Sequence, residues 1–475
     1  MEKKKDGQPP CDIVVVLSIV LYGAMEHIYS SRALAKACRQ NINFMRLLQG
    51  SPPPSQGMIN GFRKHLLWEA VENLFYGLVR LPGDYKEVTF TQVFIDGTML
   101  EARANCHTAV WRKNVDRHER GQTEKIPGII RELNGSEGTV FSEAGEGILD
   151  RANEVQAYLD RKLEGAGGGG ATLSRRTLKT YRHTLKECVK KLKTYANQRE
   201  TRGKRNSYSK TDRDAAFMRM KDQTLKAAYN AQLAVEGEYI TGAGIFATAN
   251  DGTTLKPFLE HLKQMVGTTY EKIVADAGYE SGENYACLAE NRRQAYIKPV
   301  NCQRMKTGKF KKDISKRENM AYDGIRDEYT CANAHKLRSV RTEIRVSKSG
   351  YESGATVYES EDCEGCPLRE RCTASKKNRQ MEVSKKLLAY REVSRAHISS
   401  EEGKLLRVNR SIQVEGVFGV AKEDYHFRWF MSRGNGGVRC ELLLLCFGYN
   451  VNKLRHKIQQ GRCGTSLRPL KQKAS

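Results

Sequence analysis

Residues 230–249 read NAQLAVEGEYITGAGIFATA, two β-rich runs broken at Glu236-Gly237 by a turn signal. Leu255, Phe258, Leu259, Leu262 and Val266 follow at three- and four-residue spacing, which predicts an amphipathic helix over 253–266 that Gly267 stops. Next, EKIVADAGY (271–279) is a short buried strand delivering Asp276 just before Gly278, and AYIKPV (295–300) is a further strand. Upstream, EVTFTQVFI (87–95) is a partly alternating run that stops at Asp96-Gly97. Strand, strand, helix, strand predicts a mixed α/β sheet with flanking helices.

The flanks are helical. In residues 1–80, Ser30 or Ser31 caps one helix, SPPPSQG (51–57) breaks the chain, and MINGFRKHLLWEAVENLFYGLV (58–79) resumes at helical spacing. This unit is either a DNA-reading helix pair or a packing domain. Its first apolar run, CDIVVVLSIVLYGAM, follows MEKKKDGQPP as a signal sequence would. Pro9, Pro10 and Asp12 interrupt it, however, and it falls short of the roughly 20 residues a spanning helix needs, so a buried helix is expected. Further on, Ile148, Ala152, Val155, Leu159 and Leu163 mark one amphipathic helix, and Leu178, Tyr181, Leu185, Cys188, Leu192 and Tyr195 mark another. GAGGGG (165–170) links them into an inserted helical hairpin. The Lys-rich face of the second helix either touches DNA or is solvated. Residues 196–216 read as loop, ELLLLCFGYNVNKL (441–454) as a buried helix, and the end as a basic tail.

Lys and Arg number 80 against 55 Asp and Glu in 475 residues, a net charge of +25. That excess predicts a polyanionic partner, nucleic acid before an anionic membrane. Thirteen cysteines at irregular spacing argue against a disulfide scaffold and for a reducing, cytoplasmic setting. No phosphate-binding loop occurs, since GAGGGG lacks a following Lys.

Two acids at predicted strand ends, Asp96 and Asp276, are candidate ligands. A third is Glu415 in RSIQVEGVFGVAKEDYHFRWFMSRG (410–434), flanked by Gly416 and Gly419. A regular helix there places Lys422 two turns from Glu415, about 10 Å along the same face, where it suits a phosphate. Three carboxylates from separate segments suit a pair of Mg²⁺ or Mn²⁺ ions and in-line phosphoryl displacement. Cys331, Cys363, Cys366 and Cys372, with His335 nearby, read either as a structural Zn²⁺ site or as reduced thiols in a loop. Tyr425, Phe427 and Trp429 interleave with His426, Arg428 and, further on, Arg433. This is either a DNA-contacting set that stacks bases and holds phosphates, or an ordinary hydrophobic strand.

FIDGTMLEARAN (94–105), KAAYNAQLAVEGEYI (226–240), IVADAGYESGENY (273–285) and RSIQVEGVFGVAKEDYHFRWF (410–430) resemble, in order, the motif blocks of DDE-type transposases of bacterial insertion sequences. The similar branch has an InsH-like N-terminal domain and a cysteine cluster before the third acid. The resemblance implies an RNase H-like mixed sheet, with Asp96, Asp276 and Glu415 as the catalytic D, D and E and Lys422 as the lysine that follows. It implies a helical DNA-binding domain over 1–85 and a catalytic domain over 86–456. That catalytic domain would hold a helical insertion at about 115–215 and a cysteine-rich one at about 325–385, with a basic tail over 457–475. It also implies a homo-oligomer on double-stranded DNA, no membrane, and a two-step reaction: water cleaves the element's end, and the exposed 3′-OH joins target DNA. Departures are specific. The first helical part of the N-terminal domain has no counterpart, and Gln56-Gly57-Met58 stands where relatives show His-Ser-Thr. Val408 replaces a Tyr seven residues before Glu415, and the Arg expected four residues before it is Arg410, five before. The competing readings are a catalytically silent transposon-derived DNA-binding protein and a metal-dependent nuclease without strand transfer.

Overall fold

The computed structural model describes residues 12–143, 147–165, 173–347 and 349–464. Most of the GAGGGG linker and the last eleven residues of the basic tail lie outside them. Two compact units are present, one drawn from residues 1–98, 230–428 and 436–475, the other from 99–229 and 429–435. In chain order the first eight strands are β1 (Gln92–Glu101), β2 (Ala109–Trp111), β3 (Ser207–Ser209), β4 (Ala216–Arg219), β5 (Leu225–Glu236), β6 (Tyr239–Phe246), β7 (Lys272–Ala275) and β8 (Gln294–Ile297).

In the first unit, β1 runs parallel to β7 with Phe94 opposite Val274, and β7 runs parallel to β8 with Lys272 opposite Gln294. On the other side β5 neighbours β1, and β6 pairs antiparallel with β5. The strand order is therefore β6-β5-β1-β7-β8 in a mixed sheet. Val93, Phe94, Ile95, Ile273 and Val274 are wholly buried, and each such side chain contributes about 1.5–3 kcal/mol. That continuous burial explains why the β7 stretch reads as a short buried run rather than as alternation. The helix Leu255–Val266 lies close against β6: a Cβ on Gly242 would stand 2.0 Å from Leu262, so only glycine permits the approach. At the far edge Ser394, on the helix Lys385–Ser399, bridges Ala295 and Ile297 of β8 through its hydroxyl.

The same unit holds an N-terminal set of helices and a second sheet. Ile13–Met25 is the helix formed by the early apolar run, and it buries Val16, Ile19 and Val20. Ser30 caps Ser31–Gln40 by accepting from the Ala33 N–H. After the proline break, Gln56–Phe62 continues through a π-helical stretch, Arg63–Leu67, into Trp68–Val79. Among the described residues no helix is long and apolar enough to cross a membrane. The second sheet is an antiparallel meander of β9 (Ala321–Asp323), β10 (Glu328–Thr330), β11 (Lys336–Val346), β12 (Glu352–Ser360) and β13 (Gln380–Val383), with Tyr329, Leu337 and Tyr358 in its core.

In the second unit the hairpin helices are part of a larger set. Ile148–Glu164 and Arg175–Arg202 share one hydrophobic core with Lys125–Glu137, and Arg112–Thr123 precedes these.

Three expectations need correction. Strand β1 does not stop at Asp96-Gly97 but continues to Glu101, because Thr98 and Leu100 still bury their side chains. Residues 196–216 are not loop throughout: the helix runs to Arg202, and β3 follows. Arg205 holds this polar stretch by donating to the carbonyls of Thr201, Arg213 and Asp214. Lys457 does not belong to the basic tail expected over 457–475. It lies in the helix Gly434–Gln459, where it is buried and paired with Glu87 and Glu238.

Candidate active site

Asp96 sits within β1, beside the buried Ile95, with its side chain 18% exposed. One carboxylate oxygen accepts from the Gly97 N–H at 2.9 Å, and the other lies 2.9 Å from Arg410 Nη2. Burial pushes the carboxyl up to about 6, against the pull of Arg410 and with help from the neighbouring charges of Asp276 and Asp251. Asp276 follows β7 directly and caps a short turn, Ala277–Tyr279, by accepting from the Gly278 N–H at 2.8 Å. Its Oδ2 is 3.9 Å from Arg410 Nη2. Glu415 is mostly exposed, and its Oε1 is 4.0 Å from Arg410 Nη1. The three acids thus gather around one guanidinium. Arg410 Nε is buried with no hydrogen-bond partner, so this cation is not fully satisfied by its surroundings. Among the described residues no three His, Cys, Asp or Glu side chains are placed to hold a metal ion, and Arg410 stands among the acids instead.

The helix carrying Glu415 is irregular. Glu401–Arg410 is α-helical, Ser411–Glu415 is π-helical, Gly416–Gly419 returns to α, and Val420–Asp424 is π again. A π-turn bonds i to i+5, so residues five apart share a face where an α-helix would pair residues four apart. That is the spacing from Arg410 to Glu415. The same irregularity corrects the expectation for Lys422: seven residues that include π-turns are not two regular α-turns. Lys422 Nζ donates to Thr98 Oγ1 of β1.

A fourth carboxylate was not anticipated. Asp251 opens the turn after β6, and its Oδ1 accepts from Asn230 Nδ2 at 2.7 Å and Gln232 Nε2 at 2.9 Å, both on β5. Buried Tyr279 donates to Gln232 Oε1. This polar layer presses on the Gly97 backbone: a Cβ there would lie 2.2 Å from Gln232 Nε2 and 2.7 Å from Asp251 Oδ1. A Cβ on Gly278 would lie 3.5 Å from Asp251 Oδ2, so the side chain reaches from one acid's neighbourhood to the other's. The available signal was the Asp251-Gly252 pair, which repeats Asp96-Gly97 but reads first as an ordinary turn.

The aromatic and basic residues after the helix have separate surroundings, and they do not form a strand. Tyr425 stacks on His27 with ring centroids 3.5 Å apart, and buried Phe427 meets Tyr29 edge-on. Exposed Arg428 pairs with Glu423. In the second unit, Trp429 is 52% exposed beside Glu101, and exposed Arg433 donates to the Arg103 carbonyl at 2.8 Å. Cys331, Cys363, Cys366 and Cys372 line one small cavity of about 20 Å³ with His335. Buried Arg379 enters the group, with Nη1 2.7 Å from Cys372 Sγ and its own N–H directed to Cys363 Sγ.

Two family models match the chain. One, a transposase DDE domain, covers residues 330–455, and the other, a transposase domain (DUF772), covers residues 1–65. No curated protein and no solved structure matches. The first match contains Glu415, Lys422 and the cysteine cluster; Asp96 and Asp276 lie outside both.

Proposed function

We propose that this chain acts as a DDE-type transposase of an insertion sequence, an enzyme of DNA cleavage and strand transfer, as its matches to a transposase DDE domain and a transposase domain support, and that Asp96, Asp276 and Glu415 are its catalytic D, D and E. The observation that carries the assignment is their convergence on Arg410 from a central strand, the end of its parallel neighbour and a distant helix. The order β6-β5-β1-β7-β8 supports an RNase H-like reading of the sheet. The donor set is all carboxylate oxygen, which fits Mg²⁺ or Mn²⁺. These three residues would hold such a cation, which would supply Lewis acidity to the phosphate under attack. The partly unsatisfied guanidinium of Arg410 fits the same reading, as a cation that neutralises the acids and whose fork also suits a phosphate.

The chain's own residues supply the rest. Gly97 and the Asp251–Asn230–Gln232 layer hold the Asp96 backbone, and Thr98 orients Lys422 toward the phosphate path. Exposed Arg428 and Arg433 offer phosphate contacts, and the half-exposed indole of Trp429 offers a base-stacking plane. Residues 1–85 are read as the DNA-binding domain, 86–456 as the catalytic domain with its two insertions, and the working form as a homo-oligomer on the two element ends. Native electrophoresis of paired-end complexes measures that stoichiometry; a single chain per pair of ends would refute it. A structural Zn²⁺ on Cys331, Cys363, Cys366 and Cys372 is supported by their shared cavity and opposed both by Arg379 against Cys372 and by their spacing, since no three such side chains among the described residues are placed to hold a metal ion. Metal analysis of the purified chain should find one zinc, and none would leave four reduced thiols.

Incubation with duplexes carrying the flanking inverted repeats and Mg²⁺ tests the catalytic assignment. Asp96→Asn, Asp276→Asn and Glu415→Gln should each lower cleavage and joining by on the order of 10²–10³-fold or more, with DNA binding largely kept. Near-normal cleavage by any one removes that residue from the set.

A further inference from the structure

The helix Arg175–Arg202 presents two unlike stripes. Leu178, Leu185, Cys188, Val189 and Leu192 pack into the helical core of the second unit. Beside them run Lys179, Lys186, Lys190 and Lys193, separated by seven, four and three residues, which places all four within one narrow arc of the helix. All four are exposed. Among the described residues none of them forms an ion pair, whereas Arg182 pairs with Asp160 and Arg199 with Glu119 elsewhere on the helix.

A merely solvated face would intersperse both signs of charge. This helix instead carries ten Lys and Arg against two Glu, while its neighbour Ile148–Glu164 carries three against four. Glu187 falls outside the arc. Lys186 repels Lys190, and Lys190 repels Lys193, at the spacings where opposite charges would have supported the helix. The stripe rises about 21 Å from Lys179 to Lys193 at roughly 1.5 Å per residue, the length of about six base pairs at 3.4 Å each.

We propose that Lys179, Lys186, Lys190 and Lys193 form a docking surface for the phosphate backbone of a DNA duplex. The identity of the polyanion rests on the transposase reading; the stripe itself rests on charge and exposure. The test uses the full chain with all four lysines changed to Gln, and a second variant with all four changed to Arg. Binding to a 60-base-pair random duplex is measured from 50 to 200 mM salt, and thermal melting checks that both variants fold. Four lost phosphate contacts should lower the slope of log affinity against log salt by roughly three to four in the Gln variant, at about 0.9 per contact. The Arg variant should keep the wild-type slope. An unchanged slope in the Gln variant overturns the proposal, as does equal loss in the two variants. So does loss of binding to phosphatidylserine vesicles with DNA binding intact. Cleavage of a terminal-repeat duplex by the wild type is scored in the same preparations. A failed transposase reading therefore appears as absent cleavage, and a failed stripe as an unmoved slope.

Discussion

Arg410 reaches Asp96, Asp276 and Glu415 although it stands one residue further from Glu415 than the family pattern expects. In the sequence that displacement reads as a departure from the motif, because on an α-helix a five-residue step leaves the face. The acids were easier to read: Asp96 and Glu415 each precede a glycine and Asp276 stands two residues before Gly278, where a side chain cannot crowd an approaching group. Asp251 was hidden by the commonness of its own signal, an Asp-Gly after a strand. Its contacts make Gly97 the most demanding backbone position of the site. Gly97→Ala should destabilise the chain by about 1–3 kcal/mol, the usual cost of overpacking, and should lower Mg²⁺-dependent cleavage more than DNA affinity. Thermal melting and cleavage rates of the same preparation check it; an alanine accepted without loss in either would mean the polar layer is not rigid.

At the scale of elements, the chain's regular pieces were legible because their periods are clean. The run 253–266 repeats at three and four, and it forms the helix Leu255–Val266. What period cannot reveal is a change of period inside one helix. The stretch 401–424 passes from α to π, back to α and into π again, and a π-turn is in effect one inserted residue absorbed locally. Deleting exposed Ile412, within the first π segment, should restore a regular α-turn with Arg410 and Glu415 still facing alike. Deleting exposed Arg407, in the preceding α segment, should rotate everything before it by about a quarter turn or more. Cleavage and melting temperature should therefore both fall less for the first deletion than for the second. The reverse order would show that the π-turn is not what aligns the two residues. The underestimated length of β1 and of the helix ending at Arg202 has another cause. In β1 the polar residues are held by partners from elsewhere in the chain, Thr98 by Lys422 and Glu101 by Lys226, and no local pattern encodes them; beyond Arg202, Arg205 binds the carbonyls of Arg213 and Asp214.

Over the whole molecule, the net charge of +25 belongs to binding rather than to folding. Affinity for a terminal-repeat duplex should drop at least on the order of 10³-fold between 50 and 200 mM salt, as for proteins that neutralise several phosphates. A nearly flat dependence, measured by fluorescence anisotropy, would contradict backbone recognition. The mixed sheet was foreseeable from strand order; the membership of the two units was not, since β1 and β5 each begin in one unit and end in the other. That interleaving bears on synthesis. The first acid leaves the ribosome some 320 residues before the third, and Arg410 emerges only just ahead of the latter. A prematurely terminated product lacking the final 70 residues would carry Asp96 and Asp276 with neither Arg410 nor Glu415. On the proposed assignment such a fragment lacks one of the three catalytic acids, so truncated copies should bind DNA without cutting it and compete with the full-length chain.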